Sequence, residues 1–202
     1  MSSGAEIHPE YTREGVGIGQ RNLTIATRLG AAAQAFFFVS FLFAFFYLRA
    51  LNTAGRWNLH HLHPSKAYGI AILVCVLGSA GATWVAAWSS RGQNLAVWRA
   101  GIGAAILLAL AAIGLQCAQY ANLGFGPGEG SYASVFVGWT GVIAVNILAV
   151  VYWLTTLLTE TFNPRGRSLR LLRASGEAAG VYWGTLALIE LTAFILLYVV
   201  AS

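Results

Sequence analysis

Charged and metal-ligating side chains are scarce in this sequence of 202 residues. Lys, Arg, Asp and Glu together make up 9% of the chain, whereas roughly 25% is usual for a soluble domain. There are two cysteines and a single methionine, Met1. The low charge excludes an ordinary soluble domain, and the shortage of thiols excludes a cysteine-rich zinc or iron–sulfur protein.

Apolar residues make up 57% of the chain. Five stretches are long enough to cross a bilayer, which takes about 20 residues. They are residues 29–48, 67–88, 100–121, 133–158 and 179–200. Because backbone amides cannot stay unpaired in lipid, each stretch is expected to be an α-helix. The sequence therefore predicts an all-α membrane protein, with an N-terminal arm over 1–28 and a single five-helix bundle over 29–202.

The basic residues predict the orientation of the bundle. Nine of the twelve fall on the side of the amino terminus, namely Arg13, Arg21, Arg28, Arg91, Arg99, Arg165, Arg167, Arg170 and Arg173. Positive residues favour the cytoplasmic side, so the amino terminus and the arm are expected to be cytoplasmic and the carboxyl terminus outside. Topology and anionic lipid then explain the net charge of +5, and no nucleic-acid partner is expected.

The membrane interior lacks the side chains that hold a redox cofactor. Haem or copper in a helix bundle needs axial histidine, methionine or cysteine at membrane depth, and all four histidines lie outside the five stretches. Cys75 and Cys117 stand singly in different helices and are interpreted as apolar filler. We expect no cofactor to be bound directly by this chain.

One loop, "HHLHP" at 60–64, does bring metal-ligating residues close together. His61 and His63 could share a copper or zinc ion at its edge. The alternative is an interfacial loop in which Trp57 and the histidines lie among lipid headgroups and Pro64 opens the second helix.

Several polar side chains lie inside the predicted helices. Glu190 is an acid in the middle of the last helix, where it could relay protons or stay neutral and bond to a neighbouring helix or subunit. Gln34, Gln116, Gln119 and Asn146 can each bond across helices for about 1 kcal/mol. Gln116 and Gln119 are three residues apart and so share a helical face.

Four stretches, in order, resemble subunit III of the haem-copper cytochrome c oxidases in its short, five-helix bacterial form. "AAAQAFFFVSFLFAFFYLRA" is similar to an aromatic helix of that family. "LQCAQY" resembles its Leu-Gln-x-x-Glu-Tyr, "SYASVFVGWTG" its Tyr-Gly-Ser-x-Phe-x-x-x-Thr-Gly, and "EAAGVYW" its Glu-Ala-x-x-x-Tyr-Trp. The resemblance extends from about residue 28 to residue 200.

The departures from the family pattern concern ionisable residues. Gln34 and Gln119 stand where the family has glutamates, and Ile143 and Asn146 stand in place of two histidines. Glu177 remains at the edge of the last helix. The proton chemistry of relatives is therefore not carried over to this chain.

The resemblance implies a non-catalytic, lipid-binding structural subunit of a proton-translocating respiratory oxidase in the bacterial cytoplasmic membrane. Such a subunit supports the stability and turnover of catalytic subunit I, and subunit I and other subunits hold the haem and copper. Longer relatives have two further helices that form one wall of a phospholipid cleft. Here either another subunit is expected to supply that wall, or the lipids are expected to lie between this chain and the catalytic subunit. The lipid-contact candidates are Arg49, Tyr68, Trp84, Trp88, Arg91, Trp98 and Glu177.

Three alternatives remain open from the sequence. The first is an accessory subunit of a nitric oxide reductase-type complex. The second is a small proton-coupled transporter with Glu190 as the coupling acid, although no inverted repeat supports it. In the third, Glu190 is a pH-sensitive group that docks a partner.

Overall fold

The computed structural model describes residues 16–52, 57, 63–89, 94–162 and 169–201. These residues form five α-helices and no strand. The helices are α1 Val16–Ala50, α2 Lys66–Ser89, α3 Leu95–Ala121, α4 Ser131–Glu160 and α5 Leu169–Phe194. The π-helical segment Ile195–Val200 continues α5. All five helices are long and apolar enough to cross a membrane, as predicted.

The largest difference from the predicted boundaries is at the start of the chain. Helix α1 begins at Val16, well ahead of the predicted start near residue 29, so the second part of the predicted arm is helical. The predicted span begins after the charged residue Arg28, but helix formation itself tolerates charged residues, and residues 16–28 contain no proline. The cytoplasmic location of residues 1–28 stays a prediction.

Short connections make successive helices antiparallel. Helices α1, α3 and α5 begin on one side of the bundle, here called the amino-terminal side, and end on the carboxyl-terminal side. On the amino-terminal side Arg99, near the start of α3, donates from Nε to Thr161 Oγ1 just beyond the end of α4 at 3.1 Å. Helix α5 packs against α1, α2 and α4, and α2 packs closely along α3.

Small residues allow aromatic side chains to lie directly on neighbouring backbones. Gly176 of α5 faces the indole of Trp98, and a Cβ at Gly69 of α2 would lie 2.8 Å from the ring of Tyr198. Lipid tails are as apolar as the side chains, so the helices are held by such close contact rather than by a hydrophobic driving force between them.

Trp57, in the connection between α1 and α2, is buried in the core. Its ring packs edge-on against Phe45 at 5.2 Å and against Tyr132 at 5.9 Å between centroids. Its backbone accepts from Tyr132 N at 3.3 Å, and its N–H donates to Asn52 Oδ1 at 2.9 Å. The interpretation of Trp57 as a residue among lipid headgroups is therefore wrong, because these contacts attach the loop to the ends of α1 and α4.

Candidate functional site

A hydrogen-bonded network joins α3 to the π-helical segment on the carboxyl-terminal side of the bundle. Gln116 Nε2 donates to Gln119 Oε1 at 3.3 Å. The carboxamide of Gln119 and the hydroxyl of Tyr198 exchange hydrogen bonds, at 2.7 Å from Nε2 and 3.0 Å to Oε1. Gln119 is 1% exposed and Tyr198 is 4% exposed. We call Gln116, Gln119 and Tyr198 the glutamine network.

The same end of α3 is joined to α4 by a second polar contact. Tyr120 Oη lies 2.7 Å from Thr140 Oγ1. The Thr140 hydroxyl lies 2.7 Å from Phe136 O, to which it donates in the same helix. Three helices are therefore connected by neutral side chains at one depth.

Local backbone geometry explains why the glutamine network forms. Gln116 and Gln119 share a face because they are three residues apart in an α-helix. Tyr198 lies in the π-helical segment, a wider turn that shifts the side chains after it relative to α5. The missing side chain of Gly69 gives the Tyr198 ring room to lie against α2. The result is a set of buried amides and hydroxyls that bond to each other.

Glu190 is the acid nearest to these groups. It is 6% exposed on the buried face of α5, two turns after the fully buried Trp183. It lies in the neighbourhood of Tyr120 and Tyr198. Its role, whether as a proton relay or as a docking group, stays a prediction.

The other two amides lie nearer the middle of the bundle and differ from each other. Asn146 of α4 accepts at Oδ1 from the Tyr182 hydroxyl of α5 at 3.0 Å and donates from Nδ2 to Val142 O at 2.9 Å. Gln34 of α1 is 6% exposed, and neither its Oε1 nor its Nε2 has a hydrogen-bond partner in the described structure.

A cavity of about 570 Å³ lies between α1 and α5 on the amino-terminal side. Its lining includes Arg28, Arg173, Glu177 and Trp84. Arg173 Nε lies 3.0 Å from Glu177 Oε1, and both side chains are 41% exposed. A smaller cavity of about 280 Å³ shares Trp84 and Glu177 and also touches Trp88. Guanidinium groups bind phosphate, and indoles border acyl chains, so this chemistry suits a phospholipid.

The lipid-contact candidates divide into separate groups in the structure. Trp84, Trp88 and Glu177 meet at the two cavities, whereas Arg49 and Tyr68 lie on the carboxyl-terminal side, Arg49 being exposed and Tyr68 half-buried. Trp98 is only 2% exposed and packs on Gly176, so it lies in the protein core rather than among lipids. Arg91 lies outside the described residues.

The sequence alone does not assign Arg28 and Arg173 to this cavity, because basic residues near helix ends are equally well explained by topology. It also missed Tyr198 and Tyr182 as partners of the amides. Tyrosine is common in membrane helices, above all near their ends, so the presence of Tyr198 and Tyr182 alone carries no signal.

The histidine loop is only partly described. His61 lies outside the described residues, and His63 is exposed at the edge of a cavity of about 170 Å³ that Lys66 and Tyr198 also line. Within the described ranges, no three residues of the types His, Cys, Asp and Glu are grouped so as to hold a metal ion. Cys75 is half-buried and Cys117 is exposed. The shared metal ion at His61 and His63 stays a prediction.

Comparison with known proteins gives one consistent result. A family model described as "Cytochrome c oxidase subunit III" matches residues 8–202. Cytochrome c oxidase subunit 3 of Rhizopus stolonifer is 27% identical over 183 residues, covering 89% of this chain and 64% of the relative. The proteins of the same name from Osphranter robustus and Pyricularia grisea are 24% and 26% identical, and the matches cover 70% and 68% of their lengths. The chain spans about two thirds of the length of these relatives. It belongs to the cytochrome c oxidase subunit III family.

Proposed function

We propose that this chain is a non-catalytic membrane subunit of a respiratory haem-copper oxidase. It assembles with catalytic subunit I and other oxidase subunits, which hold the haem and copper, in a bacterial cytoplasmic membrane. The observation that carries the proposal is the family match over residues 8–202, which covers all five helices. The relatives that match it are named as subunits of cytochrome c oxidase.

The cavity between α1 and α5 supports a second part of the proposal, the binding of phospholipid. Arg28 and Arg173 line it and offer guanidinium groups to a phosphate, and the Glu177 carboxylate beside Arg173 suits a cationic headgroup. Trp84 and Trp88 border the adjoining space, where acyl chains would lie. Bound phospholipid then fills the cavity next to α5, the helix on which α1, α2 and α4 pack, and so supports assembly and turnover.

Co-purification from native membranes tests the assembly. An affinity tag on this chain is expected to capture, in mild detergent, a complex with the absorption spectrum of haem that reduces oxygen. A captured complex that reduces nitric oxide but not oxygen would instead support the nitric oxide reductase-type alternative. A pure chain without any haem-bearing partner contradicts both assignments, and proton flux through liposomes holding that chain would identify a transporter.

The lipid site is tested on the same complex. Arg28→Gln combined with Arg173→Gln is expected to lower the phospholipid retained per complex and to shorten the period of sustained turnover, with haem content unchanged. Arg21→Gln is the control, because Arg21 is an exposed arginine on the same helix as Arg28 that does not line the cavity. Equal lipid retention in the two variants contradicts the proposed site.

Reporter fusions test the orientation. With a cytoplasmic amino terminus and five spans, alkaline phosphatase fused to the carboxyl terminus is expected to be active, because it folds only outside the cytoplasm. An inactive fusion that is produced in the membrane at normal amount contradicts the proposed orientation.

A further inference from the structure

Gln34 is an amide that the rest of the described chain leaves unsatisfied. Its side chain is 6% exposed, and both Oε1 and Nε2 lie beyond hydrogen-bonding distance of any partner there. In the lipid-surrounded interior, an unpaired carboxamide costs free energy that a leucine at the same place would not. We therefore expect Gln34 to have a hydrogen-bond partner other than the described side chains around it.

The packing of α1 on α4 indicates which residues lie at the depth of Gln34. The rings of Phe41 and Trp139 are in contact, with centroids 6.0 Å apart. Gln34 lies seven residues before Phe41, and Asn146 lies seven residues after Trp139. Seven residues are two turns, about 10 Å of rise, and return to nearly the same face of a helix. Because α1 and α4 are antiparallel, the step back from Phe41 and the step forward from Trp139 both lead toward the amino-terminal side. Gln34 and Asn146 therefore lie at about the same depth.

Asn146 and Tyr182 form a polar pair at that depth, and some of their hydrogen-bonding groups are not used. Asn146 uses Oδ1 for the Tyr182 hydroxyl and one N–H for Val142 O. A carboxamide has two N–H groups and two lone pairs on its oxygen, so one donor and one acceptor of Asn146 remain. The Tyr182 oxygen can also accept. Gln34 of α1 thus lies at about the depth of two neutral polar groups, from α4 and α5, to which it is not directly bonded.

We propose that an internal water molecule bridges the carboxamide of Gln34 to the Asn146–Tyr182 pair. A buried water needs two to four polar partners, which this group supplies. The neutrality of all three side chains favours water over an ion, and the burial of Gln34 separates the site from lipid headgroups. The water satisfies both ends of an amide that would otherwise be unpaired and links the first, fourth and fifth helices. The proposal does not depend on the proposed oxidase assembly.

Solid-state NMR of the full, isotope-labelled chain in lipid bilayers tests this inference directly. Magnetisation transferred from water protons is expected to reach the Nε2 group of Gln34 at short mixing times. Gln119 is the internal control, because its equally buried amide is bonded to Tyr198 and is expected to receive no such transfer. Absence of transfer to Gln34, or equal transfer to Gln34 and Gln119, overturns the proposal.

Two variants then locate the water. Asn146→Leu removes the N–H group and the oxygen that Asn146 offers to the water, and it is expected to abolish transfer from water to Gln34. Tyr182→Phe keeps the ring but removes the hydroxyl, and it is expected to weaken that transfer. Unchanged spectra elsewhere in the helices establish that each variant is folded. If one variant does not fold, the other decides the matter. Full transfer to Gln34 in a folded variant of either kind overturns the bridge.

Discussion

The polar groups on the two sides of the bundle differ in burial and in hydrogen bonding. On the carboxyl-terminal side, Gln119, Tyr198 and Thr140 are buried and bond to neighbouring helices. On the amino-terminal side, Arg173 and Glu177 are partly exposed and line an open cavity. Buried, mutually bonded groups hold a bundle together without a ligand, whereas charged groups around a cavity add little to stability and remain available to bind one. Substitutions on the two sides should therefore have different effects.

The largest effect is expected where Tyr198 packs on α2. Gly69→Ala places a Cβ 2.8 Å from rigid ring carbons of Tyr198, so the ring or the helix must move. We expect the free energy of unfolding to fall by about 1–3 kcal/mol, as for other overpacked cores. Reversible unfolding in mixed detergent micelles measures it.

Gly81→Ala is the matched control in the same helix. A Cβ at Gly81 meets nothing within 4 Å, so this variant is expected to be as stable as the parent or more stable by up to about 1 kcal/mol. Equal destabilisation by the two changes would show that the Tyr198 contact does not limit the packing of α2.

The next effect concerns the glutamine network itself. Gln119→Leu leaves the buried Tyr198 hydroxyl without its partner and is expected to lower the free energy of unfolding by about 1 kcal/mol. Tyr198→Phe in the same chain should recover part of that loss, because both polar partners are then removed together. A double-mutant cycle measures the coupling, and a coupling energy of zero would mean that the two side chains contribute independently.

The elements of this network differ in how far the sequence could predict them. The helical face shared by Gln116 and Gln119 followed from their spacing, since it depends only on helix geometry. The partner of Gln119 did not, because Tyr198 is 79 residues away and reaches it through a π-helical turn. No period in the sequence marks such a turn, and the contact also needs the missing side chain of Gly69.

The same division holds for the fold and the cavity. Five helices could be predicted because lipid forces each long apolar run into a helix, whereas the starts of α1 and α5 were predicted well after their observed positions, Val16 and Leu169. Trp98 was expected at the lipid surface because interfacial tryptophans are common, but Gly176 provides a surface on which its ring is buried. Whether the Trp98 face of α3 meets a glycine of α5 depends on how the helices are arranged in the bundle, and a single sequence does not contain that information.

A smaller effect is expected at Thr140, where the polar contact has an alternative. Thr140→Val removes the hydroxyl that lies 2.7 Å from Tyr120 Oη, but Val137 O, at 3.4 Å, can still accept from Tyr120. We expect a loss of about 0.6 kcal/mol, the average for hydrogen bonds between membrane helices. Thr155→Val is the control, because Thr155 is exposed and bonds only to its own helix, at Val151 O. If unfolding measurements give the same change for both, the contact between α3 and α4 adds nothing to stability.

The smallest effect on stability is expected on the amino-terminal side, at the ion pair of Arg173 and Glu177. Both side chains are partly exposed and belong to one helix, and such a pair contributes about 0.3–0.5 kcal/mol. Arg173→Gln should therefore leave the free energy of unfolding of the delipidated chain nearly unchanged. If this side of the bundle depends on phospholipid, the same variant should lose part of the stabilisation that added phospholipid gives the parent, because a ligand bound to the folded state adds to its stability. Unfolding measured with and without added phospholipid separates the two contributions. A large loss without lipid would mean that the amino-terminal side is held by its own polar groups in the way the carboxyl-terminal side is.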